Sequence, residues 1–192
     1  DGRELRWRDA GRDLERRQVL SAWRKPLIVM TPKSLLRLPA ASSSIEELAT
    51  GSFQHVIGDA AATDAKAAKL IDRALLCTGK IYYELEEQRR KRGDDKLAII
   101  RVEQLYPWWP ELIDAALRPY GALRSVAWVQ DEPANMGAAS FVEPRLAAVL
   151  RGLPTPPSLA VIARAESASP ATGSHKAHAM EQERIFQAAF AH

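Results

Sequence analysis

Short apolar runs alternate with longer segments of mixed polarity along most of the chain. The runs are "LIVM" (27–30), "RALLCTG" (73–79), "KLAIIRVEQL" (96–105), "RSVAWVQDEP" (124–133) and "LAVIARA" (159–165). Apolar stretches that do not alternate with polar residues mark strands covered on both faces, as in a parallel sheet. "LIVM" follows Pro26 and is expected as the first buried strand. "FQHVIGD" (53–59) is weaker and is expected at a sheet edge.

The segments between read mostly as helices. "SSSIEELA" (42–49) joins a Ser cap to acidic residues in the first turn, a helix start. "KIYYELEEQRRKRG" (80–93) places acidic before basic residues and closes on Gly93. "WPELIDAALRPYG" (109–121) is a helix introduced by prolines, and "ASFVEPRLAAVLRG" (139–152) is expected to be helical in its second half. "AATDAKAAK" (61–69) fits a loop or a helix equally. "LPTPPS" (153–158) is a Pro-rich linker, and 167–191 is a loop followed by a C-terminal helix. This alternation predicts an α/β domain with a mostly parallel sheet and helices on both faces. Residues 1–15 have few apolar side chains to bury and are set apart as an extension; 16–192 form the domain.

Composition narrows the function classes. The 46% hydrophobic and 27% charged content of the 192 residues suits one soluble globular domain. The net charge of +3 comes from basic residues near the N-terminus, among them Arg3, Arg6, Arg8, Arg12, Arg16 and Arg17. They are not interleaved with stacking aromatics, so nucleic acid is not an expected partner. No apolar run approaches the roughly 18 residues of a membrane helix, and no signal-peptide pattern is present. The lone Cys77 can form no internal disulfide, which points to a reducing, cytoplasmic setting. The chain begins at Asp1 rather than Met and is read as a piece of something longer.

Three polar turns stand at expected strand ends. In "MTPKS", Thr31 suits a helix cap and Pro32 a first helical position, with Lys33 and Arg37 beside free N–H groups that could bind an anion. A well-capped helix with solvated basic residues explains the same letters. "CTGKIYYEL" repeats the design with Thr78, Gly79 and Lys80. In "WVQDEPANMG", Gln130, Asp131 and Glu132 emerge where a strand ends. Ligands of open parallel sheets bind outside the carboxyl ends of strands, so the three turns together favour a phosphate-bearing ligand. The P-loop and Gly-x-Gly-x-x-Gly fingerprints are both absent.

The remaining candidates favour bland readings. His175, His178 and Glu181 have helical spacing for a metal, but a solvated helix face explains them better. Asp131 and Glu132 are adjacent on a strand end and point apart, so they make a poor acid–base pair. Cys77 is read as core, and Trp108 and Trp109 as packing. No complete active site is visible, and no catalytic or metal-binding residue is assigned.

Several stretches, in order from Arg16 to the C-terminus, resemble one family: "RRQVL", "RKPLIVMTPKSLLR", "TGKIYYELEEQRR", "LAIIRVEQLYP", "WVQDEPANMGA" and "SASPATGSHKAHAMEQ". They look like the C-terminal region of the thiamine diphosphate-dependent, decarboxylating first component of 2-oxoglutarate dehydrogenase, with the 2-oxoadipate dehydrogenase relative as the close alternative. The resemblance implies a transketolase-type C-terminal domain in an oxidoreductase of the tricarboxylic acid cycle, cytoplasmic in bacteria or in the mitochondrial matrix of a eukaryote. It implies that thiamine diphosphate and Mg²⁺ belong to the full-length parent, whose Gly-Asp-Gly…Asn motif and catalytic histidines are not in this sequence. The implied partners are the rest of the parent chain, a second copy in a homodimer, and the lipoamide succinyltransferase component. This chain alone would then be an inactive dimerisation and scaffold domain.

In some members of the family this domain carries an acyl-CoA effector pocket. Carried over by motif, its positions here are Thr31, Arg37, Thr78, Gln130 and Arg164. The sequence departs from the pattern where a basic residue falls on Leu70, beside Lys69, and where the second Arg of a pair falls on Ala165. With two cations missing, a CoA phosphate would be held weakly. The alternative from a different class is a stand-alone α/β regulatory module that binds a phosphate-bearing ligand such as acyl-CoA or a nucleotide.

Overall fold

A computed structural model describes residues 4–5, 20, 22, 26, 28, 30, 32–50, 52–60 and 64–191. The chain divides into two compact units, Asp1–Gln54 and His55–His192. The boundary expected between residues 15 and 16 lies outside the described residues.

In the first unit, β1 (Glu4–Leu5) pairs antiparallel with β2 (Ser42–Ser43), and helix α1 spans Ile45–Thr50. A reciprocal cap opens α1 as the sequence predicts. Ser44 Oγ accepts from the Glu47 N–H at 3.1 Å, and Glu47 Oε2 accepts from the Ser44 N–H at 3.1 Å. Two expectations fail here. The described residues of "LIVM", Ile28 and Met30, do not form the expected buried strand: they lie outside any strand and are 81% and 91% exposed, while Leu27 and Val29 lie outside the described residues. A four-residue apolar run carries no period of its own, and the unit's described strands are two residues long and pair with each other. "TPKSLLR" does not open an α-helix either. Lys33–Arg37 is a 3₁₀ helix, with Pro32 at its cap position and no side-chain cap. Pro39 closes it from the other side by holding Leu38 extended, at φ −87° and ψ 112°. Two prolines seven residues apart leave no room for a longer helix.

In the second unit, a five-stranded sheet has the order β3-β5-β4-β6-β7. Its strands are β3 (Val56–Ile57), β4 (Arg73–Cys77), β5 (Leu97–Val102), β6 (Ser125–Pro133) and β7 (Ser158–Arg164). β3 is the antiparallel edge and every other pairing is parallel. The helices are α2 (Ala65–Leu70), α3 (Ile81–Arg92), α4 (Pro110–Leu117), α5 (Ala139–Arg151) and α6 (His175–Ala189). Asp64 caps α2, so the ambiguous Ala-rich stretch is helical from Ala65 on; residues 61–63 lie outside the described residues. α5 is helical throughout and not in its second half alone. Pro144 removes one N–H there, but the carbonyl it would have met belongs to exposed Ser140 and can face water.

Strand alternation builds two cores. Leu76, Ile100, Val126 and Trp128 point to one face, against Ile113 and Leu117 of α4 and Val142 and Leu146 of α5. Leu75, Ile99 and Val129 point to the other, against Ile81 and Leu85 of α3 and Ile185 and Phe186 of α6. Each fully buried aliphatic contributes about 1.5–3 kcal/mol, so a sheet covered on both faces is where the chain's apolar runs belong. From β4 the chain crosses to β5 on one side, while β6 and β7 lie on the other. The carboxyl ends of β4 and β6 therefore flank the switch point, where α/β sheets open a crevice.

Candidate functional site at the carboxyl edge of the sheet

Pairing sets the level of the candidate residues. Cys77 is opposite Val129, Val129 is opposite Ile162, and Pro133 is opposite Arg164 after a bulge. Thr78, Gln130 and Arg164 thus stand at one carboxyl edge on three adjacent strands. Arg37 is exposed in the other unit. Thr31 lies outside the described residues.

Beyond β4, Gly79 adopts φ 73°, the left-handed turn its lack of a Cβ permits. This directs Lys80 across the crevice. Its Nζ sits 2.7 Å from Asp131 Oδ2 on β6 and 3.2 Å from Glu84 Oε1 on α3. Gln182 of α6 completes the bridge, its Nε2 donating to Glu84 Oε2 at 2.7 Å and to Asp131 Oδ1 at 3.0 Å. Burial works against the Lys80 ammonium, but the hydrogen bond and charge of Asp131, with Glu84 behind, outweigh it and raise its pKa above the ordinary lysine value.

Gln130 shares the Trp128 face and is 2% exposed. Its Oε1 accepts from the Trp128 indole N–H at 3.0 Å, and its Nε2 donates to the carbonyls of Pro133 at 3.1 Å and Met136 at 2.8 Å. Gly137 completes this turn at φ 68°, where a Cβ would come within 3.0 Å of Gln130 Nε2. The Gln130 amide organises a turn.

Arg164 contacts α6 on the opposite face. Its Nε donates to the Asp131 carbonyl, and its Nη1 reaches Thr172 Oγ1 at 3.3 Å and Glu181 Oε2 at 3.5 Å. The Thr172 hydroxyl lies 2.5 Å from the same Glu181 oxygen. That hydrogen bond, together with the Arg164 charge and against some desolvation, holds the Glu181 carboxyl below its ordinary pKa. Glu181 is thus held by Arg164 and Thr172. Among the described residues no group of three His, Cys, Asp or Glu could hold a metal ion.

Cys77 is fully buried, and burial pushes its thiol far above the nucleophilic range. Trp108 packs edge-on against Phe141 at 6.3 Å, and Trp109 stacks on His55 at 4.9 Å, as packing roles require. Sequence reasoning missed Gln182 and Thr172. Gln182 meets Glu84 across 98 residues, and no local spacing carries that signal.

Residues 42–190 match the family described as 2-oxoglutarate dehydrogenase C-terminal. The chain belongs to this family. The 2-oxoglutarate dehydrogenase E1 component of Azotobacter vinelandii is 41% identical over 175 residues, 91% of this chain. That of Haemophilus influenzae is 42% identical over 172 residues, 90% of this chain. The 2-oxoadipate dehydrogenase complex component E1 of Xenopus laevis is 42% identical over 175 residues. The chain spans 18% of the length of these relatives. Each of them is an E1 component, and none supports the alternative of a stand-alone regulatory module. The mostly parallel sheet with helices on both faces is the architecture expected of a transketolase-like C-terminal domain in this family. Among the described residues no helix is long and apolar enough to cross a membrane.

Proposed function

We propose that this chain is the C-terminal domain of an E1 component that decarboxylates 2-oxoglutarate and passes the succinyl group to lipoamide on the succinyltransferase component. The family match over residues 42–190 carries this reading. The domain's own part is to complete a homodimer and support the cofactor-bearing domains, in the cytoplasm of a bacterium or the mitochondrial matrix of a eukaryote. Thiamine diphosphate with Mg²⁺ supplies the decarboxylation chemistry of such a component, but the residues described here do not fit that group. The paired carboxylates Glu84 and Asp131 already share the Lys80 ammonium and the Gln182 amide, which stand where a cation would have to enter.

The carboxyl edge is proposed as an acyl-CoA effector site at Thr78, Gln130 and Arg164; of the other positions the resemblance implies, Arg37 belongs to the other unit and Thr31 lies outside the described residues. The common level of Thr78, Gln130 and Arg164 at the switch point supports it. Within that site Gln130 would shape the turn while Arg164 meets the anion.

The test of the domain assignment is a chimera. This chain replaces the matching C-terminal segment of the Azotobacter vinelandii component, and 2-oxoglutarate-dependent reduction of ferricyanide is measured. The chimera is expected to keep turnover within about tenfold of the parent, while the chain alone shows none. A folded, dimeric chimera without turnover would overturn the assignment, and so would turnover by the chain alone.

A further inference from the structure

Arg164 is a mostly buried cation with few partners. Its side chain is 11% exposed, yet the carboxylate it meets among the described residues, Glu181, stands at 3.5 Å, the outer limit of a hydrogen bond. Nε is spent on the Asp131 carbonyl and Nη1 on Thr172 and Glu181, while Nη2 donates to no described residue. Nη2 is not among the buried polar atoms left without a partner, so this donor is open to solvent and to a ligand arriving from it. The edge formed by Nη1 and Nη2 is the one that grips two oxygens of a carboxylate or phosphate at once. Glu181 touches half of that edge and satisfies it poorly. It also has a closer partner, the Thr172 hydroxyl at 2.5 Å, and its side chain is 34% exposed. It can therefore leave Arg164 without stranding a buried charge.

We propose that Arg164 is an anion receptor held closed by Glu181, and that a phosphate- or carboxylate-bearing ligand binds by exchanging for the Glu181 carboxylate on the Nη1–Nη2 edge. This rests on the effector reading of the carboxyl edge and adds its resting state. Glu181 acts as the internal competitor, so the affinity of the site is set by an ion pair on the far side of the sheet from Gln130. The exchange moves no covalent bond. One carboxylate leaves the guanidinium as another oxyanion arrives.

Calorimetric titration of the chain with acetyl-CoA, and separately with pyrophosphate as a phosphate-only probe, tests this. Glu181→Gln keeps the Thr172 hydrogen bond but removes the competing charge, and it is expected to tighten both ligands about tenfold. Arg164→Gln is expected to abolish binding of both. Tightening of pyrophosphate without any acetyl-CoA binding supports the exchange and removes acyl-CoA as the effector. Equal affinities for the unaltered chain and Glu181→Gln overturn the exchange and leave the effector reading standing. Absence of binding by either ligand to every variant overturns both. Because the Glu181→Gln comparison decides, the outcome does not depend on how well Arg164→Gln folds.

Discussion

The two faces of the sheet end differently at its carboxyl edge. On the α4/α5 face, Gln130 is sealed in, and both ends of its amide are met by the Trp128 indole and the turn carbonyls. On the α3/α6 face, Lys80, Glu84, Asp131, Arg164 and Glu181 are partly exposed and bonded across elements far apart in sequence. There Gln182 Oε1 is buried without a hydrogen-bond partner and Arg164 leaves Nη2 to solvent, while outside the Gln130 network the other face leaves the Trp108 indole N–H buried and unpartnered. A closed network fixes a shape, whereas an open one leaves groups for a ligand to satisfy. The same sequence logic picked Gln130 and Arg164, and their partners tell them apart.

The largest expected effect lies on the closed face. Gln130→Leu leaves the Trp128 N–H and two carbonyls without their partner, which should lower unfolding free energy by about 2–3 kcal/mol in urea. Unchanged stability with acetyl-CoA binding lost would place Gln130 in the ligand site and reverse the comparison. A smaller loss, about 1 kcal/mol, is expected on the open face for Lys80→Met, because the bridge is part-exposed and screened. Its sign with pH is fixed. The folded-state pKa of Lys80 is raised, so its contribution is fully present below the ordinary lysine pKa and fades as pH climbs through the raised value. The stability gap between the unaltered chain and Lys80→Met should hold steady at neutral pH and close in the alkaline range above about 10.4. A gap that widens there would mean that Lys80 is not held by Asp131.

Most of the fold was legible because its determinants are local. Gly93 at φ 62° ends α3 as expected, and the Ser44–Glu47 cap starts α1. The apolar runs from Arg73 onward became strands because both faces of the sheet are covered. "LIVM" has equally apolar letters, and the difference lies in what surrounds it, which a four-residue run does not encode. Strand ends marked the turns at Thr78 and Gln130, whereas Arg164 came from the family resemblance, and the period-two alternation that separates Gln130 from Arg164 has to be followed across β6, through a bulge, into β7. Gln182 was illegible, since its role depends on how α6 docks on the sheet.

The smallest predicted effect tests whether the faces are separate. Asn135 leaves the Gln130 turn and ties it to the loop that carries Thr172. Its Nδ2 donates to the Ser167 carbonyl at 3.0 Å, and its Oδ1 accepts from the Ser167 N–H at 3.1 Å. Beside it, the Ala134 N–H donates to the Arg164 carbonyl at 2.9 Å. Both side-chain bonds are exposed, so Asn135→Ala should cost about 0.5–1 kcal/mol, felt locally. Amide hydrogen exchange is expected to quicken at Ser167 and around Thr172 while the β6 amides from Val126 to Val129 keep their protection. Faster exchange along β6 as well would show that the Asn135 tie carries strain through the sheet. The two faces would then respond as one, and the Gln130 turn would not be independent of the Arg164 contacts.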